Sequence, residues 1–323
     1  MSDGILEIKN LTAYYETGLN PTRAVDNASL GIIRRGEIFG IAGESACGKT
    51  TLALAILRLL KPPGHIRGGE VIFDGANLLE LAEEEIRLIR WKRISYVPQS
   101  SMNALNPVMR IRDQISDGIE AHESMHSRDE LDDRIEKLLT DVGLSREIIR
   151  MYPHELSGGM KQRVAIAMAT ALDPEVLIAD EPTTALDVIV QRGILQLLRE
   201  IRDRMHTILL ITHDMAAQAE ISDRVGIMYA GKIVEIGRAE DVFKDPLHPY
   251  TRLLIASIPR LKVRSEPTWI GGLPPDLRNP PEGCRFNPRC PRLIAGTCDA
   301  KEPELAEVEP GRFAACHLYD DRT

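Results

Sequence analysis

The sequence predicts an α/β fold with a mainly parallel sheet, an inserted helical subdomain and a small cysteine-containing C-terminal lobe. Three observations lead to this prediction. A glycine-rich loop joins a strand to a helix near residue 45, strands and helices alternate beyond residue 175, and four of the five cysteines lie between Cys284 and Cys316. Alternating strands and helices indicate a parallel sheet with helices on both faces.

The first predicted domain covers residues 1–258, and a helical subdomain of about 100–172 interrupts its alternation of strands and helices. The first expected elements are a strand, a turn at Arg35-Gly36 and a second strand over 27–42, followed by a helix from Lys49 to about Leu60 and strands at 70–73 and 94–97. After the helices within 108–172 we expect the strand VLIAD, a helix over 188–204, the strand TILLIT, a further helix and the hairpin RVGIMYAGKIVEIG. Residues 259–323 are predicted as a proline-rich connector followed by the cysteine lobe.

Composition limits the functional classes. The net charge of −8 and the 4% aromatic content speak against a general nucleic-acid binder, so no nucleic-acid partner is expected. The N-terminus lacks the apolar core of a signal peptide, and no run of about 18 apolar residues occurs. We therefore expect a cytoplasmic chain that does not cross a membrane by itself, with reduced thiols rather than disulfides.

Residues 43–50, GESACGKT, match the phosphate-binding pattern G-x-x-x-x-G-K-[ST]. The glycines let successive N–H groups point at phosphate oxygens, and the helix that follows adds its positive end. Lys49 would reach the β- and γ-phosphates, and the Thr50 hydroxyl would hold Mg²⁺. The residues expected to contact nucleotide here are Gly43, Glu44, Ser45, Ala46, Cys47, Gly48, Lys49, Thr50 and Thr51.

Two further motifs fit the same chemistry. The apolar run VLIADE ends in Asp180, expected to orient Mg²⁺, and Glu181, expected to polarise the attacking water. In LSGGMKQR, Ser157 is a good helix N-cap, and Gly158 and Gly159 allow close approach of an anion. The chain thus carries two phosphate-binding devices, which cannot easily be aimed at one nucleotide.

GESACGKT, LSGGMKQR and VLIADEP together resemble the nucleotide-binding subunits of ABC transporters, over about residues 5–257. The resemblance implies an ABC-type P-loop domain with a RecA-like core, an antiparallel β subdomain and a helical subdomain. It also implies ATP closed head to tail between the phosphate loop of one subunit and the LSGG segment of another. By the same resemblance Tyr15 would stack on adenine, with Tyr14 as the alternative. Gln99 would contact Mg²⁺ and the water, Asp187 would connect the two sites, and His213 would contact the γ-phosphate.

A narrower resemblance rests on ALNPVMRI, YPHELSGGM, ADEPTTALDV, DPLHPYT and PPEGCRFNPRCP, and it points to the ATP-binding subunits of oligopeptide and dipeptide importers, whose relatives also carry nickel or oligosaccharides. It implies an ATPase on the cytoplasmic face of the membrane, working with a second, non-identical ATPase subunit, two transmembrane permease subunits and an external solute-binding protein. The alternatives are an ABC-type ATPase of translation or DNA repair, or a regulatory subunit that binds ATP and barely hydrolyses it. The transported solute is not encoded in this chain.

The cysteines Cys284, Cys290, Cys298 and Cys316 are spaced C-x5-C-x7-C-x17-C. Structural zinc sites usually contain tight C-x2–4-C pairs, which are missing here. Four thiolates suit a [4Fe–4S] cluster, and some members of the resembled importer family carry one in this tail. A zinc site that includes His317, and four unligated thiols, remain the alternatives.

Overall fold

The computed structural model describes residues 4–99, 104–124, 127–204, 206–257 and 270–322. The strands are β1 Gly4–Tyr15, β2 Thr22–Ala28, β3 Gly31–Arg34, β4 Ile38–Ala42, β5 Gly64–Phe73, β6 Ala76–Asn77, β7 Ile94–Val97, β8 Val176–Asp180, β9 Thr207–Ile211, β10 Arg224–Tyr229, β11 Lys232–Arg238, β12 Ala306–Glu309 and β13 Arg312–Ala314. The α-helices are α1 Lys49–Ile56, α2 Glu83–Ile89, α3 Ile111–Glu120, α4 Arg128–Asp141, α5 Gly158–Thr170, α6 Val188–Asp203, α7 Met215–Ile221, α8 Ala239–Lys244 and α9 Pro249–Ala256.

The chain divides into two compact units. Unit 1 contains residues 1–80 and 211–323, and unit 2 contains residues 81–210. No helix within the described ranges is both long and apolar enough to span a membrane.

Unit 1 contains two sheets. The first is antiparallel, with the strand order β2-β1-β5-β6 and β3 paired to β1. The second runs β12-β13-β11-β10-β4, in which β10 is parallel to β4 and antiparallel to β11. The turn predicted at Arg35-Gly36 is present, but its flanking strands β3 and β4 belong to different sheets. The sequence prediction of strand, turn and strand is therefore confirmed, although the two strands are not a hairpin.

Unit 2 combines short parallel strands with helices. β7 and β8 pair in parallel, and every residue of β8 is buried, as expected for a strand with both faces covered. α6 buries Ile194, Leu198 and Ile201 at helical spacing. The helices α3, α4 and α5 lie where the sequence indicates a helical subdomain.

The C-terminal segment from residue 270 onward is part of unit 1, and the described residues do not show the separate small lobe that the sequence suggested. β13 extends the second sheet by pairing with β11, through Glu235 opposite Ala314. Phe286, 1% exposed, belongs to a cluster of buried apolar residues in the unit, and Leu277 packs against that cluster. A few apolar residues of this proline-rich segment are thus placed in the core of unit 1. Of the predicted connector, residues 259–269 lie outside the described residues, so the boundary at 258 stays a prediction.

Candidate functional site

The phosphate loop lies between β4 and α1 in unit 1. Lys49 begins α1 and is 7% exposed. Its Nζ donates hydrogen bonds to the carbonyl oxygens of Gly43 at 2.8 Å and Glu44 at 3.0 Å. The ammonium group is thus held inside the curl of the loop, next to the first turn of the helix, where an anion would be attracted to both.

Two glycines of this loop cannot be replaced without moving backbone. A Cβ on Gly48 would lie 2.0 Å from the carbonyl oxygen of Ala24, at a φ of +111°. A Cβ on Gly43 would lie 2.1 Å from the carbonyl oxygen of Met228. The glycine spacing of the motif therefore follows from how closely β2 and β10 approach the loop.

Cys47 fills the interior of the loop. It is buried, and burial raises the pKa of its thiol, so the side chain is neutral at ordinary pH. Its carbonyl oxygen accepts a hydrogen bond from the N–H of Gly231 at 2.8 Å. The loop is in this way tied to the turn between β10 and β11.

The two tyrosines at the end of β1 are placed differently. The Tyr15 hydroxyl is 3.3 Å from the hydroxyl of Thr51 in the first turn of α1. Tyr14 instead donates to Asp26 at 2.8 Å, and burial together with this carboxylate raises its pKa to about 12. Tyr15 is therefore the tyrosine next to the phosphate-loop helix, and Tyr14 is engaged on β2.

The acid pair ends β8 in unit 2. Asp180 is fully buried, and its Oδ2 accepts a hydrogen bond from the Tyr96 hydroxyl at 3.1 Å. Glu181 is 7% exposed, has a left-handed φ of +50°, and accepts a hydrogen bond from the Thr184 hydroxyl at 2.9 Å. A left-handed, nearly buried glutamate is uncommon and marks a position held by its surroundings.

The LSGG segment starts α5 in unit 2. Ser157 is exposed and caps the helix, accepting a hydrogen bond from the Met160 N–H at 3.3 Å. A Cβ on Gly159 would meet Val190 of α6 at 2.6 Å, so this glycine allows α5 and α6 to approach. Asp187 caps α6 by accepting from two backbone N–H groups at 3.0 Å, and it is exposed.

Gln99 and His213 are both exposed and each follows a strand. Gln99 comes two residues after β7 in unit 2, and His213 comes two residues after β9, in unit 1. Asp214 caps α7, with its Oδ1 accepting from the Ala216 N–H at 2.8 Å. The expected site residues are thus divided between the two units, with the phosphate loop, Tyr15 and His213 in the first.

Family models and relatives agree with these motifs. Residues 25–184 match the model described as ABC transporter, and residues 234–298 match the one described as oligopeptide/dipeptide transporter, C-terminal region. The dipeptide transport ATP-binding protein DppD of Caldanaerobacter subterraneus subsp. tengcongensis is 43% identical over 98% of both chains. The oligopeptide transport ATP-binding protein OppD of Escherichia coli is 42% identical over 98% of this chain and 93% of its own.

The chain belongs to the ABC transporter family. The solved dimeric structure of the bacterial ABC transporter cassette MJ0796 has a TM-score of 0.66 and 30% identity, and it covers 73% of this chain and 99% of its own. The same cassette has been solved in a post-hydrolysis state with ADP and Pi. The chain is an ATP-binding, ATP-hydrolysing subunit that couples energy to an ABC transporter, and its fold is the P-loop fold of these ATPases.

The cysteine segment of this ABC subunit brings four thiols within electrostatic range of one another, since the other three each raise the pKa of Cys284. Burial is the larger cause, and it raises the pKa of Cys284 to about 12 and that of Cys316 to about 11. Cys298 accepts a hydrogen bond from the Ile294 N–H at 3.5 Å. Among the described residues, no group of three or more His, Cys, Asp or Glu side chains is arranged to hold a single metal ion.

Sequence reasoning missed the residues that connect this segment to the phosphate loop. The Tyr250 hydroxyl accepts a hydrogen bond from the Glu44 N–H at 2.9 Å, and the Arg289 guanidinium pairs with the Glu44 carboxylate. Arg285 pairs with Asp26 on β2. The only sequence signal was the presence of Tyr250 and both arginines in the motifs that resemble peptide importers.

Proposed function

We propose that this ABC ATPase drives the uptake of oligopeptides or dipeptides from the cytoplasmic face of a cell membrane, where it binds peripherally. The observation that carries the proposal is similarity over nearly the whole chain to subunits named for dipeptide and oligopeptide transport. This similarity includes the C-terminal region, whereas the solved cassette covers only 73% of the chain.

The assembly would contain a second, non-identical ATPase subunit, two transmembrane permease subunits and, outside the membrane, a solute-binding protein. The exposed position of Gln99 after β7 supports a role at the surface that faces a permease. The helical block around 100–150 would form that docking surface.

In the ATP site, Lys49 and the N–H groups of residues 43–51 would bind the phosphates, apart from the Glu44 N–H, which donates to the Tyr250 hydroxyl. Tyr15 would stack on adenine. The position of Tyr15 beside the first turn of α1 supports this choice over Tyr14. Thr50, Gln99 and Asp180 would hold Mg²⁺, because hydroxyl, amide and carboxylate oxygens are the donors this ion prefers. When bound, Mg²⁺ would neutralise charge on the phosphate oxygens.

Hydrolysis would depend on Glu181, which would accept a proton from the attacking water, and on His213, which would contact the γ-phosphate. The fixed backbone of Glu181 supports its role, since a general base must be held in place. Ser157, Gly158 and Gly159 would bind ATP held by the partner subunit, and Asp187 would connect the two sites. The exposure of Ser157 and Asp187 is compatible with contact to a partner.

The experiment measures peptide uptake by the complete transporter in liposomes with both ATP sites intact. ATP hydrolysis by the Glu181 and Glu200 variants is measured in the same assembly with the partner's ATP site disabled. Glu181→Gln should retain ATP binding and lower turnover by about 10²-fold or more, as expected for loss of a general base. Glu200→Gln, the same chemical change at an exposed site on α6, should have no effect. Normal turnover in Glu181→Gln would contradict the catalytic assignment, and ATP hydrolysis without peptide uptake would contradict the transport assignment.

The four C-terminal cysteines would hold a [4Fe–4S] cluster. The fit rests on hydrogen bonds to the sulfur atoms within the segment. Backbone N–H groups two residues downstream donate to the sulfur atoms of three cysteines, at Phe286, Arg292 and Leu318. Such hydrogen bonds are typical of cluster ligands, and each thiolate binds a different iron, so the sulfurs need not converge on one point.

The zinc alternative is less favoured by the surroundings of His317. Its Nδ1 is 2.8 Å from the Asp320 carboxylate and its Nε2 is 2.8 Å from the Lys301 carbonyl oxygen, so both ring nitrogens are engaged. Anaerobically purified chain should be brown and contain about four iron atoms. Cys298→Ser should lose this iron, while Cys47→Ser in the phosphate loop should keep it. Colourless protein with one zinc ion, or with no metal, would refute the cluster.

A further inference from the structure

Arg289 lies one residue before Cys290, and its guanidinium is directed at the phosphate loop. Nη1 is 2.8 Å from Glu44 Oε2 and Nη2 is 2.9 Å from Glu44 Oε1, which is a two-pronged ion pair. The Arg289 side chain is 5% exposed and that of Glu44 is 23% exposed. A sheltered, bidentate pair of this kind has a fixed geometry that an exposed pair lacks.

Other contacts hold the guanidinium in place. Nε donates to the carbonyl oxygen of Gly271 at 2.8 Å, and Nη1 also donates to the Tyr229 hydroxyl at 3.2 Å. The guanidinium lies 5.7 Å from the centre of the Tyr229 ring. Tyr229 in turn packs edge to face against Phe286 at 5.1 Å, so the arginine is supported by the core of unit 1.

Each polar group of Glu44 has a partner. Its N–H donates to the Tyr250 hydroxyl, its carbonyl oxygen accepts from Lys49 Nζ, and its carboxylate is bound by Arg289. Glu44 is the second residue of the loop, so these three contacts define how the peptide groups that follow it are oriented. When ATP binds, Lys49 Nζ would give up a carbonyl oxygen and bind phosphate instead. Tyr250 and Arg289 would keep their contacts with Glu44.

We propose that Arg289 is a positioning residue for ATP binding, so that the C-terminal segment contributes to the nucleotide site. Through Glu44 it holds the phosphate loop in the conformation in which the N–H groups converge. The inference rests on the proposed binding of ATP by this loop and adds a residue outside the ATPase core to it. A preorganised loop binds more tightly because less conformational entropy is lost on binding.

The test is a double-mutant cycle on the full-length chain, with the affinity for a fluorescent ATP analogue as the readout. Arg289→Met and Glu44→Gln should each weaken binding by about 10-fold, within the range usual for coupled sites. The double variant should bind no more weakly than the worse single variant, because both changes remove the same interaction. Arg289→Lys should bind the analogue with an affinity between those of the unmodified chain and Arg289→Met, or still more weakly. An ammonium group cannot reproduce the two parallel hydrogen bonds of the guanidinium.

Arg278→Met is the matched control. Arg278 also forms a bidentate pair, with Asp276 in the same segment, but both side chains are about half exposed. Its replacement should leave ATP affinity unchanged, because such pairs contribute little.

Thermal unfolding of each variant separates positioning from a merely structural role. A lowered melting temperature with unchanged ATP affinity, or unchanged affinity in folded Arg289→Lys and Glu44→Gln, would overturn the inference. If Arg289→Met does not fold, those two milder variants decide the question by the same measurement. Failure of the unmodified chain to bind the analogue would instead refute the proposed ATP site itself.

Discussion

Replacing Phe286 with alanine removes a ring that is 1% exposed and packed between two tyrosines of unit 1. Its ring centre is 5.1 Å from that of Tyr229 and 5.4 Å from that of Tyr250, both in edge-to-face arrangements. Removing a fully buried phenylalanine costs about 3–5 kcal/mol of stability, through lost burial and the cavity left behind. For a chain of 323 residues we expect the melting temperature to fall by about 4–7 °C.

The assay is differential scanning calorimetry of the full-length chain, followed in parallel by circular dichroism. Leu293→Ala is the control, since this residue lies in the same segment but is 45% exposed, and its loss should change stability by less than about 0.5 kcal/mol. The main unfolding transition itself should move in Phe286→Ala, because the ring belongs to the core of unit 1. An unchanged main transition, with a shift only in a minor one, would show that the C-terminal segment folds as a separate lobe and would refute the packing argument.

Three further predictions concern Ser157, Gly48 and His248. Ser157→Arg should leave the ATP affinity of the isolated chain within about twofold. It should abolish ATP-driven dimerisation in size-exclusion chromatography, because the bulk and charge of the arginine would block the phosphates of ATP held by the partner. Loss of ATP binding by the isolated chain would contradict this prediction. Gly48→Ala should abolish ATP binding, since its Cβ would lie 2.0 Å from a carbonyl oxygen, whereas Gly271→Ala, whose Cβ would meet nothing within 4 Å, should bind normally in the same titration. Burial holds the pKa of His248 at about 3, well below its unfolded value, so the unfolded state binds more protons between about pH 6.5 and 3. The free energy of unfolding should therefore fall as the pH falls through this window, by about 1.4 kcal/mol per pH unit from this residue. In urea titrations, His248→Asn should reduce this dependence of stability on pH, and an unchanged dependence would contradict a buried neutral imidazole.

The sequence predicted some elements well and missed others for a physical reason. β8 and β9 are continuous apolar runs buried along their length, so their composition alone indicates strands. β1 and β2 were missed, although β1 is the longest of the described strands. The pairing of β1 with β2 and β5 contains shifts in register, and irregular pairing breaks the alternation of buried and exposed residues that reveals a strand.

The candidate site was predictable where its chemistry is local. The glycines of the phosphate loop, the N-cap at Ser157 and the acid pair at the end of β8 each depend on residues within a few positions of one another. Such motifs combine a backbone conformation with a side chain, and both are encoded in a short stretch of sequence.

By itself, the sequence determined the family, the ATP-binding motifs and the alternation of strands and helices beyond residue 175, because these depend on local patterns. Only the tertiary structure decided that the C-terminal segment joins unit 1 and that Arg289 binds Glu44, 245 positions away. A long-range ion pair leaves no periodic pattern in the sequence. The residues next to an arginine in the sequence do not distinguish one that pairs with a distant carboxylate from one that is exposed to solvent. The partner of Arg289 is set by the folding of β10, β11 and the segment around Phe286, which bring the two charged groups together in a sheltered place.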